Sequence, residues 1–190
     1  MREQAPSNRF TDPATGSIVN CWCERVEVLS DRRAGSMPSP NLTSRPLTKA
    51  DYDHIVRVID KWWGGPSTAL AHPIFYYELG DLARVVQCDE RVVGFLFGFI
   101  APNGPIGYVH LVGIDPDYRR QQVGSLLYRS FEVACRSAGC VTMKAITTLG
   151  NDGSVRFHEA LGWAAQTVDD YAGPGRGRLV FTKSLGAPPT

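Results

Sequence analysis

The residues whose types and spacing suit them for chemistry begin with the run Asp115-Pro116-Asp117-Tyr118-Arg119-Arg120-Gln121-Gln122-Val123-Gly124-Ser125. It follows an apolar strand pattern, Ile106 to Ile114, and opens an amphipathic helix with apolar residues at 123, 126, 127, 131, 134, 135 and 138. The first N–H groups of a helix have no partner inside it, and the helix dipole adds partial positive charge there, so this arrangement is an anion site. Arg119 and Arg120 stand where they could add charge-assisted bonds to phosphate oxygens. The plain alternative is a solvated helix start.

A second run, Asn151-Asp152-Gly153-Ser154-Val155-Arg156-Phe157-His158-Glu159-Ala160-Leu161-Gly162-Trp163, reads as a short helix capped by Asn151 and stopped by Gly162. At about 100° per residue, Asn151, Ser154 and His158 share a stripe flanked by Val155 on one side and by Phe157 and Leu161 on the other. Arg156 and Glu159 fall on the solvated side. A polar stripe between apolar flanks needs a polar partner, either another part of the fold or a ligand.

In this order and spacing the two runs resemble the GNAT superfamily of acyl-CoA-dependent N-acyltransferases. Arg119, Gln122 and Gly124 occupy the places of that family's phosphate loop. Asn151, Ser154, Phe157, His158, Leu161, Gly162 and Trp163 match its later helix. The resemblance covers roughly Leu42 to Leu185. Two departures stand out. Gln122 replaces the loop's first glycine; at a helix start it is expected to keep helical φ and be tolerated. His158 replaces a tyrosine thought to protonate the leaving thiolate, a task open to a protonated histidine.

Length and composition agree with one globular domain, and the order of its elements makes that domain α/β. A hydrophobic content of 43%, 21% charged residues and a net charge of +1 are globular values and give no argument for nucleic acid or an anionic membrane. No apolar run approaches the ~20 residues of a membrane span, and no secretory signal opens the chain. The five cysteines have no framework spacing, and Cys21-Trp22-Cys23 lacks partners for a metal site, so a reduced, cytoplasmic, metal-free protein is expected. Residues 1–40, rich in Ser, Pro, Asn, Arg and Gly, read as a poorly ordered extension with a short strand near Val26 to Leu29. The domain occupies 41–190.

Within it the patterns predict strands at Ser44 to Leu47, Ala83 to Cys88, Arg91 to Ile100, Ile106 to Ile114, Cys140 to Thr148, Trp163 to Val168 and Leu179 to Lys183. Helices are expected from the Thr48–Asp51 capping box to Trp63, from about Ser67 to Leu79, up to Gly139, and after Asn151. The order β-α-α-β-β-β-α-β-α-β-β is also the GNAT order and implies a mixed, mostly antiparallel central sheet flanked by helices.

The activity the resemblance implies is direct transfer of an acetyl group from acetyl-CoA to a primary amine, small molecule or peptide. Pantetheine would run along Val112, Gly113 and Ile114, with the pyrophosphate on Arg119, Arg120, Gln121, Gln122, Val123, Gly124 and Ser125. Asn151 and Ser154 would contact the cofactor arm, and His158 would act as general acid. Gly113 signals a bulge or close backbone approach, or relief of crowding beneath a helix. Tyr108, His110, Val112 and Ile114 are expected on one strand face, with His110 a candidate base alongside a purely structural reading. Trp62, Trp63, Phe75, Tyr76 and Tyr77, with Glu78, Asp81, Asp169 and Asp170, are candidates for an acceptor site or for core. A homodimer is compatible with all of this. A non-catalytic acyl-CoA-binding module and an interaction protein working through the extension are the competing classes.

Overall fold

The computed structural model describes residues 41–186. The extension over 1–40, its expected strand and the Cys21–Cys23 pair lie outside the described residues. Seven strands form one sheet: β1 Leu42–Pro46, β2 Arg84–Cys88, β3 Arg91–Ile100, β4 Ile106–Ile114, β5 Thr142–Thr148, β6 Ala164–Val168 and β7 Arg178–Ser184. They lie in the order β1-β2-β3-β4-β5-β7-β6. Every adjacent pair is antiparallel except β4 and β5, which are parallel. The helices are α1 Lys49–Trp63, α2 Ile74–Tyr77, α3 Val123–Ser137 and α4 Asp152–Ala160.

The helices cover both faces. On one, α1 buries Tyr52, Ile55, Ile59, Trp62 and Trp63 against Val85, Phe95, Phe97 and Leu111. On the other, α3 buries Val123, Leu127, Phe131 and Cys135 against Val86, Val93, Leu96 and Val109. The expected capping box forms: the Thr48 hydroxyl accepts from the Asp51 N–H, and the Asp51 carboxylate accepts from the Thr48 N–H. Gly64, left-handed at φ 73°, ends α1. The helix expected over Ser67 to Leu79 is broken into a 3₁₀ turn, Thr68–Leu70, and the four-residue α2. Pro73 between them has no N–H to donate and disfavours helical backbone at His72.

One irregularity decides how the site is laid out. Phe97 pairs with Leu111 and Gly98 with Val109, so His110 is an extra residue in β4, a β-bulge. The bulge reverses the alternation. Val109 packs with α3, whereas Leu111, two residues on, packs with α1. The single face expected for Tyr108, His110, Val112 and Ile114 is therefore divided. The His110 ring stacks on Phe75 of α2 with centroids 3.7 Å apart, while Val112 and Ile114 pack with the α3 core. The bulge is not at Gly113. A Cβ there would come within 2.3 Å of the Phe95 ring, so glycine relieves crowding against that phenyl group.

Candidate active site

Beyond the bulge, β4 and β5 part. They pair at only four positions, Ile106–Val109 with Thr142–Ala145, although β4 runs to Ile114 and β5 to Thr148. The β5-facing edge of the last part of β4 is left without a strand partner. A cavity of about 360 Å³ lies beside it, walled by Val112 and Ile114 on one side and by Ser154, Phe157 and His158 of α4 on the other.

The start of α3 forms the mouth of this cavity. The first bond closing the helix joins the Leu126 N–H to the Gln122 carbonyl, leaving the N–H groups of Val123, Gly124 and Ser125 without a partner inside α3. No side chain caps this end and no acid stands in its first turn. Gln122, Val123, Gly124 and Ser125 all line the cavity. The expectation of helical φ at Gln122 is overturned: it is left-handed at 65°, as is Arg120 at 63°. The physical reason is that α3 begins one residue later, at Val123, so Gln122 belongs to the turn that redirects the chain into the helix. Such backbone costs a non-glycine residue about 1–2 kcal/mol. Gly124 has a second function, because a Cβ there would lie 3.1 Å from both Ile114 and Phe157. It lets β4, α3 and α4 converge.

The arginines separate. The Arg119 guanidinium donates to the Trp62 carbonyl at 2.7 Å and ties the loop to the end of α1. Arg120 is exposed and lines the cavity. The Gln121 side chain turns back to the Asp117 carbonyl, 3.0 Å away. Arg156, assigned by the helical wheel to solvent, lines the cavity from α4. Nothing in its spacing announces this; only the docking of α4 beside α3 puts it there.

At the inner end the polar stripe of α4 is divided as well. Asn151 Oδ1 accepts the Ser154 N–H at 3.0 Å and its Nδ2 donates to Thr147 Oγ1 at 3.0 Å, so its amide caps α4 and ties it to β5. Ser154 and His158 are buried and face the cavity. His158 is only 4% exposed and stacks on Phe181 with centroids 4.0 Å apart. Its Nδ1 lies 2.8 Å from the Ser154 carbonyl oxygen, which can only accept, so the ring hydrogen sits on Nδ1. Nε2 then accepts from the Tyr128 hydroxyl, 3.0 Å away. Burial, outweighing the Ser154 carbonyl, pushes the imidazole pKa down to about 4. His158 is thus held neutral near pH 7, with a lone pair rather than a proton at Nε2. Tyr128, buried and lining the same cavity, escaped the sequence reading. The available signal was its position four residues after Gly124, on the same helical stripe.

Across β4 lies an aromatic surface. Phe75 stacks between His110 and Phe99, and Phe99 packs on Tyr108. The Lys144 ammonium stands 5.0 Å from the Tyr171 ring centroid. Burial, with Tyr171 nearby, pushes the Tyr108 hydroxyl up to about 12. His110 is held below its usual range by burial, with Nε2 3.4 Å from the Leu70 carbonyl. Of the other acceptor candidates, Trp62 and Trp63 are core, Tyr76 stacks on Tyr52, and Tyr77, Glu78, Asp81, Asp169 and Asp170 are exposed. No group of three or more His, Cys, Asp or Glu residues is placed to hold a metal among the described residues, and no described helix is long and apolar enough to cross a membrane.

Known proteins resemble this chain in sequence over part of its length and in fold. Over 67 residues, 35% of this chain, it is 36% identical to the mycothiol acetyltransferase of Thermobispora bispora, and the match spans only 23% of that protein. The fold is similar to that of Ard1 from Thermoplasma volcanium, with a TM-score of 0.64 and 20% identity, covering 76% of this chain and 97% of the other. It is also similar to yncA from Salmonella typhimurium, solved with its cofactor acetyl-CoA, with a TM-score of 0.61 and 18% identity over 78% of this chain and 98% of that one. The sequence model of the acetyltransferase (GNAT) family matches residues 46–163, from the end of β1 through α4 to Trp163, and so takes in both the uncapped start of α3 and the parting of β4 from β5. By that match this chain belongs to the GNAT family of acetyltransferases.

Proposed function

We propose that this protein transfers the acetyl group of acetyl-CoA directly to a primary amine. The observation that carries the reading is the unpaired edge of β4 leading to the uncapped start of α3. An extended chain bearing amides and ending in a pyrophosphate matches that sequence of groups. Its amides would pair with the backbone of Val112, Gly113 and Ile114 as an added strand, and its phosphates would take the free N–H groups of Val123, Gly124 and Ser125. Arg120 and Arg156 supply charge at the mouth. Gln121 and Gln122 shape the turn, Arg119 and Asn151 hold the walls, and Ser154 lines the pantetheine end. Acetyl-CoA is here a substrate, and the chemistry needs no metal.

The amine reaches the thioester through the gap between β4 and β5 from the aromatic side. His110 is the base for it. If its hydrogen is on Nε2, toward Leu70, Nδ1 carries the lone pair, and its lowered pKa keeps the imidazole neutral and able to accept an ammonium proton at pH 7. The test is calorimetry with acetyl-CoA together with thiol release on a panel of small amines and peptides. Binding with amine-dependent thiol release supports the reading. Binding without release on the whole panel would favour an acyl-CoA-binding module instead.

A further inference from the structure

We infer that Tyr128 of α3 is the group that protonates the departing thiolate, with His158 as the residue that positions its hydroxyl. The inference rests on the acetyltransferase reading above. Within the buried end of the cavity, His158 and Tyr128 form one hydrogen-bonded pair. The Ser154 carbonyl fixes the imidazole hydrogen on Nδ1, so Nε2 offers a lone pair and no proton. The proton shared by the pair therefore belongs to the Tyr128 oxygen. The stacking of Phe181 on His158, and the edge-on contacts of Phe157 and Trp163 with Tyr128, hold both rings in place. The charged side chains lining the same cavity, Arg119, Arg120 and Arg156, are cations, so no carboxylic acid among the described lining residues competes as proton donor.

The step balances as follows. The carbon–sulfur bond breaks with its electron pair going to sulfur. The Tyr128 O–H proton turns from Nε2 toward sulfur and forms the S–H bond. The phenolate recovers a proton released by the acceptor nitrogen as it becomes an amide, carried by His110 or water. One amine hydrogen has then moved, in sum, to the thiol. Return of the O–H···Nε2 bond resets the pair.

Two variants of the full-length protein test this. Tyr128→Phe keeps the ring and is expected to lower kcat about 10²-fold, in the range of general acid catalysis, with the acetyl-CoA Kd within about threefold. A kcat within threefold per folded molecule overturns the assignment. Should Tyr128→Phe lose its fold, 3-fluorotyrosine at position 128 gives the second reading. Its more acidic phenol is expected to move the alkaline limb of the kcat profile to lower pH, and an unmoved limb overturns the assignment. Wild-type protein that binds no acetyl-CoA, or releases no thiol with any amine, overturns the acetyltransferase reading itself and this inference with it. Normal wild-type turnover with unaffected Tyr128 variants overturns this inference alone.

Discussion

The two ends of the cavity are built on opposite principles. The mouth is made of backbone: three unpartnered N–H groups at the start of α3, two left-handed residues and exposed arginines. The inner end is made of side chains, with Tyr128, Ser154 and His158 all at most 5% exposed and walled by aromatic rings. Backbone amides in water suit a ligand that arrives charged and leaves again. A dry hydrogen-bonded pair suits proton movement, since its geometry is fixed in advance and its strength is not diluted by solvent. On the proposed reading binding and chemistry fall to different materials about one helical turn apart along α3, from Gly124 to Tyr128, and perturbing one end should leave the other largely intact.

The largest expected effect is at the mouth. Gly124→Asp places a carboxylate beside the phosphates and a Cβ against Ile114 and Phe157. It should weaken acetyl-CoA binding by about a thousandfold, ~4 kcal/mol, by calorimetry on folded protein. Unchanged affinity would remove the phosphate site from this end.

The inner end should announce itself in stability. His158 has a pKa of about 4 when folded, against about 6.5 for the exposed side chain. Between those values the unfolded chain binds a proton that the folded chain does not, so stability present above pH 6.5 is lost as pH falls toward 4. The loss should reach about 3 kcal/mol. His158→Gln, which does not titrate, should give a flatter dependence of Tm on pH over that window. His110, also lowered, contributes to both proteins and cancels in the difference. Parallel curves for wild type and variant would show that His158 is not buried as a neutral base.

Smaller effects return to the mouth. Arg156→Ala should weaken acetyl-CoA binding about fivefold, ~1 kcal/mol, and the deficit should shrink in high salt, because the side chain is exposed. A deficit indifferent to salt would mean packing rather than charge. Gln122→Gly should raise Tm by about 2–4 °C, as relief of roughly 1 kcal/mol of left-handed strain requires, while leaving Kd within about tenfold. A large gain in affinity would show that the Gln122 side chain obstructs the site.

Much of the fold could be read directly along the chain. The Thr48–Asp51 box, the strand runs at 91–100 and 106–114 and the periodic apolar residues of α3 are local signals, and each element forms where its pattern lies. The start of α3 directly after the β4 pattern was equally visible, because it depends on neighbouring residues. The errors came where neighbours in sequence were not the deciding contacts. Alternation put His110 and Val112 on one face, but the bulge that separates them exists only through the pairing of β4 with β3. Position along the motif points Arg119 toward the phosphates, but its bond to the Trp62 carbonyl at the end of α1, 57 residues earlier, has no signal in the local pattern.

The sequence by itself determined the strands, the long helices and their order, the start of α3 beside the end of β4, and the polar stripe of α4 that carries His158, because these depend on propensity, period and capping within a few residues. The tertiary structure alone decided what His158 is. The meeting of α3 and α4 over β7 removes water from the imidazole and brings the Tyr128 hydroxyl to Nε2, while the Ser154 carbonyl one turn back in α4 takes Nδ1, and together these set its charge and direction. Protonation state depends on burial and on a partner 30 residues away as well as on the neighbouring turn, and no local pattern encodes the first two.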